Sequence, residues 1–522
     1  MKHKKEHINI IALIYLLIPL ILFILGWLKA WIAAPLVFLL CFSIVKSWLT
    51  NKDSFTYLCT PLSWKNLIPT AIMFLVVIFM TGMTGNWVQH TDYFVRNDIF
   101  YDLTFKDWPP ALNDNRYFIY YFQSWLPAAF VGSHTNWEIA QWTYFAWSLL
   151  GMALVLYYIY KSLDSSSFWV AFTLLAWGGL ELIPCSLVAP WTHGLTISQA
   201  FGWNNHVAEP LVTFYPSFSI KSIIHCFIPI ALICGMLMQR DIVKEYAPLL
   251  SICALMYSPM GAIFLLPIVI YLYIREHFSG EQLTNSYIWK QFIKNTFSLH
   301  NVSMYLILIL LIFPFYAIAE SLGGAGLAKI TSFKFFISFS VYFFFNTLIL
   351  TWIIRRNDKD NLLWVLVCVQ FCCLMAAAIY NTDMAMKGTI VSQFFFFILF
   401  CRSFRNAPLK HKIYYILYLV GAATYFIHMK GALIALIIGL TIYGVLKLKP
   451  SYIAILIMSA GVFLTTAIIL YPQCFVNTYS KLSGQQTKYN RNIGIYQPDG
   501  GSGKWWWYKS FPDRSKLPSW FK

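Results

Sequence analysis

The sequence predicts an all-α, polytopic transmembrane protein. Of its 522 residues, 59% are hydrophobic and only 11% are charged, whereas a soluble domain carries about 25% charged residues. Unbroken apolar runs of about 20 residues, the length that crosses a bilayer as a helix, recur along the chain. Such runs disfavour a membrane β-barrel, whose strands alternate apolar and polar residues. The low charge excludes a soluble enzyme, a disordered protein and a disulfide-stapled secreted domain.

The formal net charge is +17, from 38 Lys and Arg against 21 Asp and Glu. In a soluble protein this excess would suggest nucleic acid as a partner. In a chain of membrane helices it indicates cytoplasmic loops, where basic residues accumulate. We therefore predict membrane lipids, and no nucleic acid, around this protein.

The N-terminal residues are basic, with Lys2, Lys4 and Lys5 before an apolar run at 8–28. A signal peptide is one interpretation. The run is longer than the apolar part of a usual signal peptide, and a second run, 31–49, follows almost at once. A retained helical hairpin with a cytoplasmic N-terminus is the favoured prediction.

The apolar runs give about 13–14 membrane segments in one domain, 1–472, followed by an aromatic and basic tail, 473–522, predicted outside the cell. The predicted segments lie near 8–28, 31–49, 67–86, 139–160, 167–189, 223–238, 247–274, 303–319, 335–353, 362–380, 389–401, 413–428, 431–446 and 451–471.

The run 247–274 determines the topology of the second half. It is too long for one span and is interrupted by Ser258-Pro259 and Gly261, residues that break helices. A single crossing would put the basic clusters around Arg275 and Arg402 outside. Two short helices that enter and leave from the cytoplasm would keep them inside, so we predict a broken short-helix hairpin.

This topology leaves two large outer loops, 87–138 and 190–222. Five of the few acids in the chain fall between positions 92 and 114 of the first loop, and they are Asp92, Asp98, Asp102, Asp107 and Asp114. If the segment is helical, Asp98 and Asp102 share a face. A solvated amphipathic helix would explain them. A carboxylate just outside the bilayer can also act as a general base, and the many aromatic residues nearby could stack on sugar rings.

Four further residues are candidates for binding a substrate. Glu181 lies at or near the outer end of a predicted span, where an acid is expensive and is usually functional or paired. Lys221 belongs to the second outer loop. Asp383 and Lys387 share the short outer loop 381–388, where a lysine can serve as a point charge for a phosphate or as an interface anchor.

Three blocks resemble bacterial polytopic glycosyltransferases of the GT-C class. The first is Asp92-Tyr93-x-x-Arg96-Asn97-x-Ile99-x-x-Asp102-Leu103, followed by Trp108-Pro109. The second is the apolar hairpin broken at Tyr257-Ser258-Pro259. The third runs from Asn381 to Lys387, with Lys387 where an arginine is usual. A lysine cannot bind phosphate through two parallel hydrogen bonds as arginine does.

The resemblance implies transfer of a sugar from a polyprenyl-phosphate donor to a glycan or lipid acceptor on the outer face of the bacterial cytoplasmic membrane. Asp92 would be the general base, with Asp98 or Asp102 as second acid or ligand of Mg²⁺ or Mn²⁺. His90 belongs to the same stretch and is a substrate-binding candidate. Arg96, Lys221 and Lys387 would face the donor phosphate.

Other classes of protein remain open. A flippase or transporter of lipid-linked glycan would suit so many spans, although it should carry midplane charges and related halves. A polymerase or ligase of envelope polysaccharide would share the donor chemistry. A structural membrane scaffold is the remaining interpretation.

Overall fold

A computed structural model gives the architecture. It describes residues 5–6, 8–50, 57–58, 63–85, 87, 89, 93–112, 116–180, 183–184, 187–188, 219–220, 222–278, 286–318, 333–379, 382–423, 430–447 and 517–522.

Helices dominate the described residues, as predicted. The first seven are α1 (Ile8–Trp27), α2 (Ala30–Thr50), α3 (Trp64–Phe79), α4 (Tyr93–Phe105), α5 (Leu126–Ser133), α6 (Trp137–Leu163) and α7 (Phe168–Ala176). The next six are α8 (Ile224–Leu237), α9 (Arg240–Tyr257), α10 (Pro259–Phe278), α11 (Ser286–Thr296), α12 (Leu299–Ile307) and α13 (Phe313–Ala317). The last six are α14 (Phe333–Phe343), α15 (Ile349–Arg355), α16 (Leu362–Ile379), α17 (Thr382–Asn406), α18 (Leu409–Ala423) and α19 (Lys430–Lys447).

Short irregular elements join some of them. A 3₁₀ turn, Gln123–Trp125, precedes α5. The π-helical turns Leu308–Ile312 and Phe344–Leu348 make continuous rods of α12 with α13 and of α14 with α15. Four two-residue strands form two antiparallel pairs. β1 (Lys5–Glu6) pairs with β2 (Tyr57–Leu58), and β3 (Ala111–Leu112) pairs with β4 (Arg116–Tyr117).

The protein is a helical membrane protein. Among the described residues, seven helices are long and apolar enough to cross a bilayer, against the 13–14 segments predicted. Part of the difference is physical, because α3, α8 and α16 offer shorter apolar stretches and α9 begins with a charged turn. The predicted segment 451–471 lies outside the described residues.

The break in the run 247–274 is confirmed, but its helices are not short. Ser258 is the only residue between α9 and α10 and has an extended backbone. Arg240 at the start of α9 lies 3.3 Å from Glu276 at the end of α10, so the two helices run antiparallel. With 18 and 20 residues, each is about 27–30 Å long. Their length was underestimated because α9 extends back through charged residues that hydropathy assigns to a loop.

The bundle has two ends, which the central helix α17 connects. The hairpin-turn end contains Ser258 and Lys387: a Cβ atom on Gly261 would lie 2.9 Å from Ser258 Oγ and 3.3 Å from the Lys387 carbonyl oxygen. The ion-pair end contains Arg402, whose side chain binds the loop between α15 and α16. Since the window Met384–Asn406 is 83% buried, α17 forms the core of the bundle between these ends.

The ion-pair end joins helices through charge. Arg402 binds Asp358 at 2.6 Å and Asp360 at 2.9 Å, and Arg275 binds Asp360 at 3.2 Å and Glu276 at 2.8 Å. Through these pairs α10 and α17 hold the same loop. The basic clusters around Arg275 and Arg402 therefore lie at the same end of the bundle, and their location inside the cell stays a prediction.

The C-terminal residues 517–522 lie against the turn between α1 and α2. The Lys29 amide donates to the Trp520 carbonyl at 2.9 Å, and the Lys522 amide donates to the Trp27 carbonyl at 2.9 Å. The Trp520 indole donates to the Leu310 carbonyl at 2.9 Å. The rest of the predicted tail, 473–516, lies outside the described residues.

Candidate functional site

The first block of the sequence is fixed to the end of α3 by a tight turn. Gly82 has φ 81°, and a Cβ atom there would lie 2.6 Å from Gln89 Cγ, so this position requires glycine. The Gln89 amide donates to the Gly82 carbonyl at 2.8 Å, and its Oε1 accepts from Asn97 Nδ2 at 3.2 Å. This chain of hydrogen bonds orients α4.

Helix α4 directs one cation into the protein. Arg96 is 8% exposed, and its guanidinium carbon lies 5.8 Å from the ring centroid of Tyr93. A guanidinium over an aromatic face is attracted by the ring quadrupole, and burial strengthens that attraction. The guanidinium of Arg96 is therefore held at the hairpin-turn end beneath the surface.

The two described acids of α4 lie on the more exposed side. Asp98 is half-buried. Asp102 pairs with Lys106 at 2.7 Å. Partial burial raises the pKa of the Asp102 carboxyl, although its hydrogen bond and ion pair with Lys106 oppose the rise. Asp102 therefore forms an intrahelical pair, while Asp98 lies within two residues of Arg96.

An aromatic stack follows, in the loop before α5. The rings of Tyr120 and Tyr121 are 3.9 Å apart, and their hydroxyls are joined at 2.8 Å. Tyr121 stacks on His225 at 5.7 Å and 2°, and His225 stacks on Trp125 at 4.7 Å. Ser124 donates to the His225 carbonyl. These contacts connect the loop before α5 to α8.

The second cation reaches this stack from α17. Lys387 is 4% exposed, and its Nζ lies 4.4 Å from the ring centroid of Tyr121. The next residue, Gly388, packs closely against two neighbouring helices and so fixes the position of Lys387 beside the stack. A Cβ atom on Gly388 would lie 2.4 Å from Phe264 and 2.8 Å from Cys373. Helices α10 and α16 thus press against α17 where Lys387 points to the stack.

Both cations act on the hydroxyl group of Tyr120. Burial raises the pKa of its hydroxyl well above the ordinary value, and the neighbouring Tyr121 adds to the rise. Lys387 and Arg96 both oppose it, because each favours the phenolate. Arg96 also lines a cavity with His225, whose ring stacks on Tyr121 beside Lys387. Two cations from distant parts of the sequence therefore lie around one aromatic stack.

The adjoining cavity is small in this conformation. It is lined by Tyr93, Arg96, Asn97, Trp125 and His225, among others, and its volume is about 10 Å³. That volume admits about one water molecule. A sugar or a phosphate would need side-chain or loop movement to enter from this side.

The structure thus brings the three blocks to one end of the bundle: Arg96 and Asn97 from the first, Ser258 from the second and Lys387 from the third. Several predicted site residues lie outside the described residues: His90, Asp92, Glu181, Lys221 and the side chain of Asp383. The prediction that Asp92 faces these cations therefore stays a prediction.

Tyr121 and His225 were not predicted as a pair. Tyr121 is one of many aromatic residues in its loop. His225 lies in an apolar run, and an ionisable residue within such a run is the one signal that could have indicated it.

Within the described part of the chain, no group of three or more His, Cys, Asp or Glu could hold a metal ion. In comparisons with known proteins, no protein family, no curated protein and no solved structure matches this chain. The class that fold and site define is therefore a helical membrane protein with two converging cations at one end.

Proposed function

We propose that the protein is a membrane glycosyltransferase that takes a sugar from a polyprenyl-phosphate donor and passes it to an envelope glycan or lipid on the outer face of the bacterial cytoplasmic membrane. The observation that carries the proposal is geometric: Lys387 lies over the ring of Tyr121, Tyr121 stacks on His225, and His225 lines one cavity together with Arg96. It supports a site for an anion at the end of a membrane bundle. A donor whose lipid tail stays in the membrane would present its phosphate there.

The chemistry assigns separate roles to acids and cations. The acceptor hydroxyl oxygen forms a bond to the anomeric carbon, and the bond from that carbon to the phosphate oxygen breaks. The bonding electrons leave with the phosphate, whose developing charge Arg96 and Lys387 would stabilise. The hydroxyl proton passes to a carboxylate. Asp92 is the proposed base, by the resemblance of its block, with Asp98 on α4 as the alternative.

Aromatic side chains would complete the site. Tyr120 and Tyr121 lie stacked on each other beside the cations, and their hydroxyls are hydrogen-bonded to each other at 2.8 Å. These hydroxyls can hydrogen-bond the substituents of a sugar ring.

The test is a transfer assay in membranes with labelled polyprenyl-phosphate sugar. Arg96→Gln and Lys387→Gln should each lower transfer by about 100-fold, since each removes a charge that stabilises the leaving phosphate. Two control cations also lie over rings but at the ion-pair end: Arg356, 4.0 Å from Trp352, and Lys412, 5.2 Å from Phe404. Arg356→Gln and Lys412→Gln should keep transfer near the wild-type rate.

Equal losses in site and control variants would contradict the proposal. So would movement of intact labelled glycan lipid across the membrane without transfer, which is the result expected of a flippase. Asp92→Asn, with normal expression, should abolish transfer, and unchanged transfer would exclude Asp92 as the base.

A further inference from the structure

A second, much larger cavity lies at the ion-pair end. Its volume is about 590 Å³, within the range of ligand sites. It opens between α2, α9, α11 and the start of α12. The residues that line it are polar: Ser43, Lys46, Ser47, Asp241, Lys244, Glu245, Gln291, Lys294, Asn295, Ser298 and His300, with Phe297 and Leu299.

The wall on α9 and α12 is rigidly built. Pro248 interrupts the hydrogen bonds of α9, and Asn301 replaces them. Its Oδ1 accepts from the Leu249 amide at 3.1 Å, and its Nδ2 donates to the Glu245 carbonyl at 3.0 Å. His300 Nε2 lies 2.9 Å from the same carbonyl and stacks on Tyr246. The cavity is therefore part of the folded architecture.

Helix α11 forms a wall of the cavity with exposed aromatic side chains. Only Ile288 of this helix is fully buried. Tyr287 is 67% exposed, Trp289 is 44% exposed, and Phe297, just beyond the helix, is 64% exposed. Amphipathic helices with exposed aromatic and basic residues lie at the level of the lipid headgroups. The mouth of the cavity is thus at headgroup depth.

The charge of the lining is positive by one. Lys46, Lys244 and Lys294 contribute three positive charges, and Asp241 and Glu245 contribute two negative charges. Lys46 and Lys294 are exposed and Lys244 is half-buried, so their ammonium groups can move toward a ligand. A phosphate diester has one negative charge, and the serine and asparagine side chains can donate hydrogen bonds to its oxygens.

We propose that this cavity binds the headgroup of an anionic phospholipid, with Lys244 and Lys294 at the phosphate. Basic pockets between membrane helices bind such headgroups. The acyl chains would leave past α11 into the bilayer. This site is at the opposite end from the proposed transfer site and does not depend on it.

The experiment is native mass spectrometry of the full chain in detergent, titrated with phosphatidylglycerol or with phosphatidylcholine. Phosphatidylglycerol should bind more tightly than the neutral lipid. Lys244→Gln and Lys294→Gln should each weaken its binding about five-fold, and together about thirty-fold, since one lysine near a lipid surface contributes about that factor. The matched control is Lys290→Gln on the same helix, whose side chain is exposed and does not line the cavity; it should bind like the wild type.

Three results would overturn the proposal: wild-type affinity in the double variant, an equal loss in Lys290→Gln, or soluble glycerol phosphate binding as tightly as the lipid. The last result would assign the cavity to a free phosphate compound. If the double variant does not fold, Lys294→Gln alone decides the question, because its side chain is exposed.

Discussion

The two ends of α17 carry cations in contrasting surroundings. At the ion-pair end Arg402 binds two carboxylates, and the wider network sets Arg240, Arg275 and Arg402 against Glu276, Asp358 and Asp360. At the hairpin-turn end Lys387 lies over the ring of Tyr121. One helix thus presents a cation to matched acids at one end and to an aromatic stack at the other.

The difference indicates different roles. Charges that match carboxylates one for one hold helices together, and they add little net potential. A cation over a ring keeps its full charge, because the ring contributes a quadrupole and no opposite charge. The ion pairs around Arg402 are therefore expected to govern stability, and Lys387 at the hairpin-turn end is expected to bind the phosphate of the proposed donor.

The largest expected effect on stability comes from Asp360. Its carboxylate binds Arg275 and Arg402 and accepts from the Leu362 amide at 3.0 Å, which caps α16. Asp360→Ala should lower the free energy of unfolding by about 2–3 kcal/mol, because two half-buried guanidinium groups each lose one of their two carboxylate partners and the Leu362 amide loses its acceptor. Unfolding in mixed detergent micelles measures this change.

The control for that prediction is Asp164→Asn, because asparagine keeps the left-handed backbone that Asp164 has at φ 46°. Asp164 is 77% exposed and 4.0 Å from Arg405, so loss of its charge should change stability by less than about 0.5 kcal/mol. Similar losses at Asp360 and Asp164 would mean that the network does not hold the helices together.

A smaller effect should appear on acidification. Burial alone would raise the pKa of the Asp360 carboxyl, but the Leu362 amide, Arg402 and Arg275 more than offset it, so the pKa is lowered. A depressed pKa contributes stability above the unfolded value of about 3.9, and that contribution is lost as the pH falls through the folded value.

Melting temperatures measured from neutral pH down to about pH 3 should therefore fall more steeply in the wild type than in Asp360→Asn. The advantage of the wild type should be greatest at neutral pH. Parallel curves would show that Asp360 is not charged and paired in the native state.

The smallest effect concerns the aromatic stack. A double-mutant cycle of Tyr121→Leu and Lys387→Met should give a coupling energy of about 1 kcal/mol, since a buried cation over a ring is worth about that much. The matched cycle at the other end is Tyr414→Leu with Arg356→Met, whose groups are 4.6 Å apart. A coupling energy near zero between Tyr121 and Lys387 would show that the ring of Tyr121 does not position this lysine.

Much of the bundle could be predicted because burial in lipid constrains the sequence strongly. The positions of α1, α2 and α6 agree with the apolar runs within a few residues, and the break at Ser258 follows from proline chemistry. The start of α9 at Arg240 could not be predicted from hydropathy, because its first turn is charged. That turn is helical in the fold, where Arg240 pairs with Glu276 on the next helix.

The site was predictable only in part. Arg96 and Lys387 stand out as cations in predicted outer loops. Their approach to Tyr120 depends on the Gly82 turn and on the close packing at Gly388, which are contacts between distant segments.

The sequence alone determined that the chain is helical and that its helices are apolar enough to cross a membrane, because both properties depend on local hydropathy and on charge. Only the tertiary structure decided which cation meets an acid and which meets a ring. Those partners depend on how the helices pack. Two cations that look alike in the sequence can therefore have different partners in the fold, a carboxylate for one and an aromatic ring for the other.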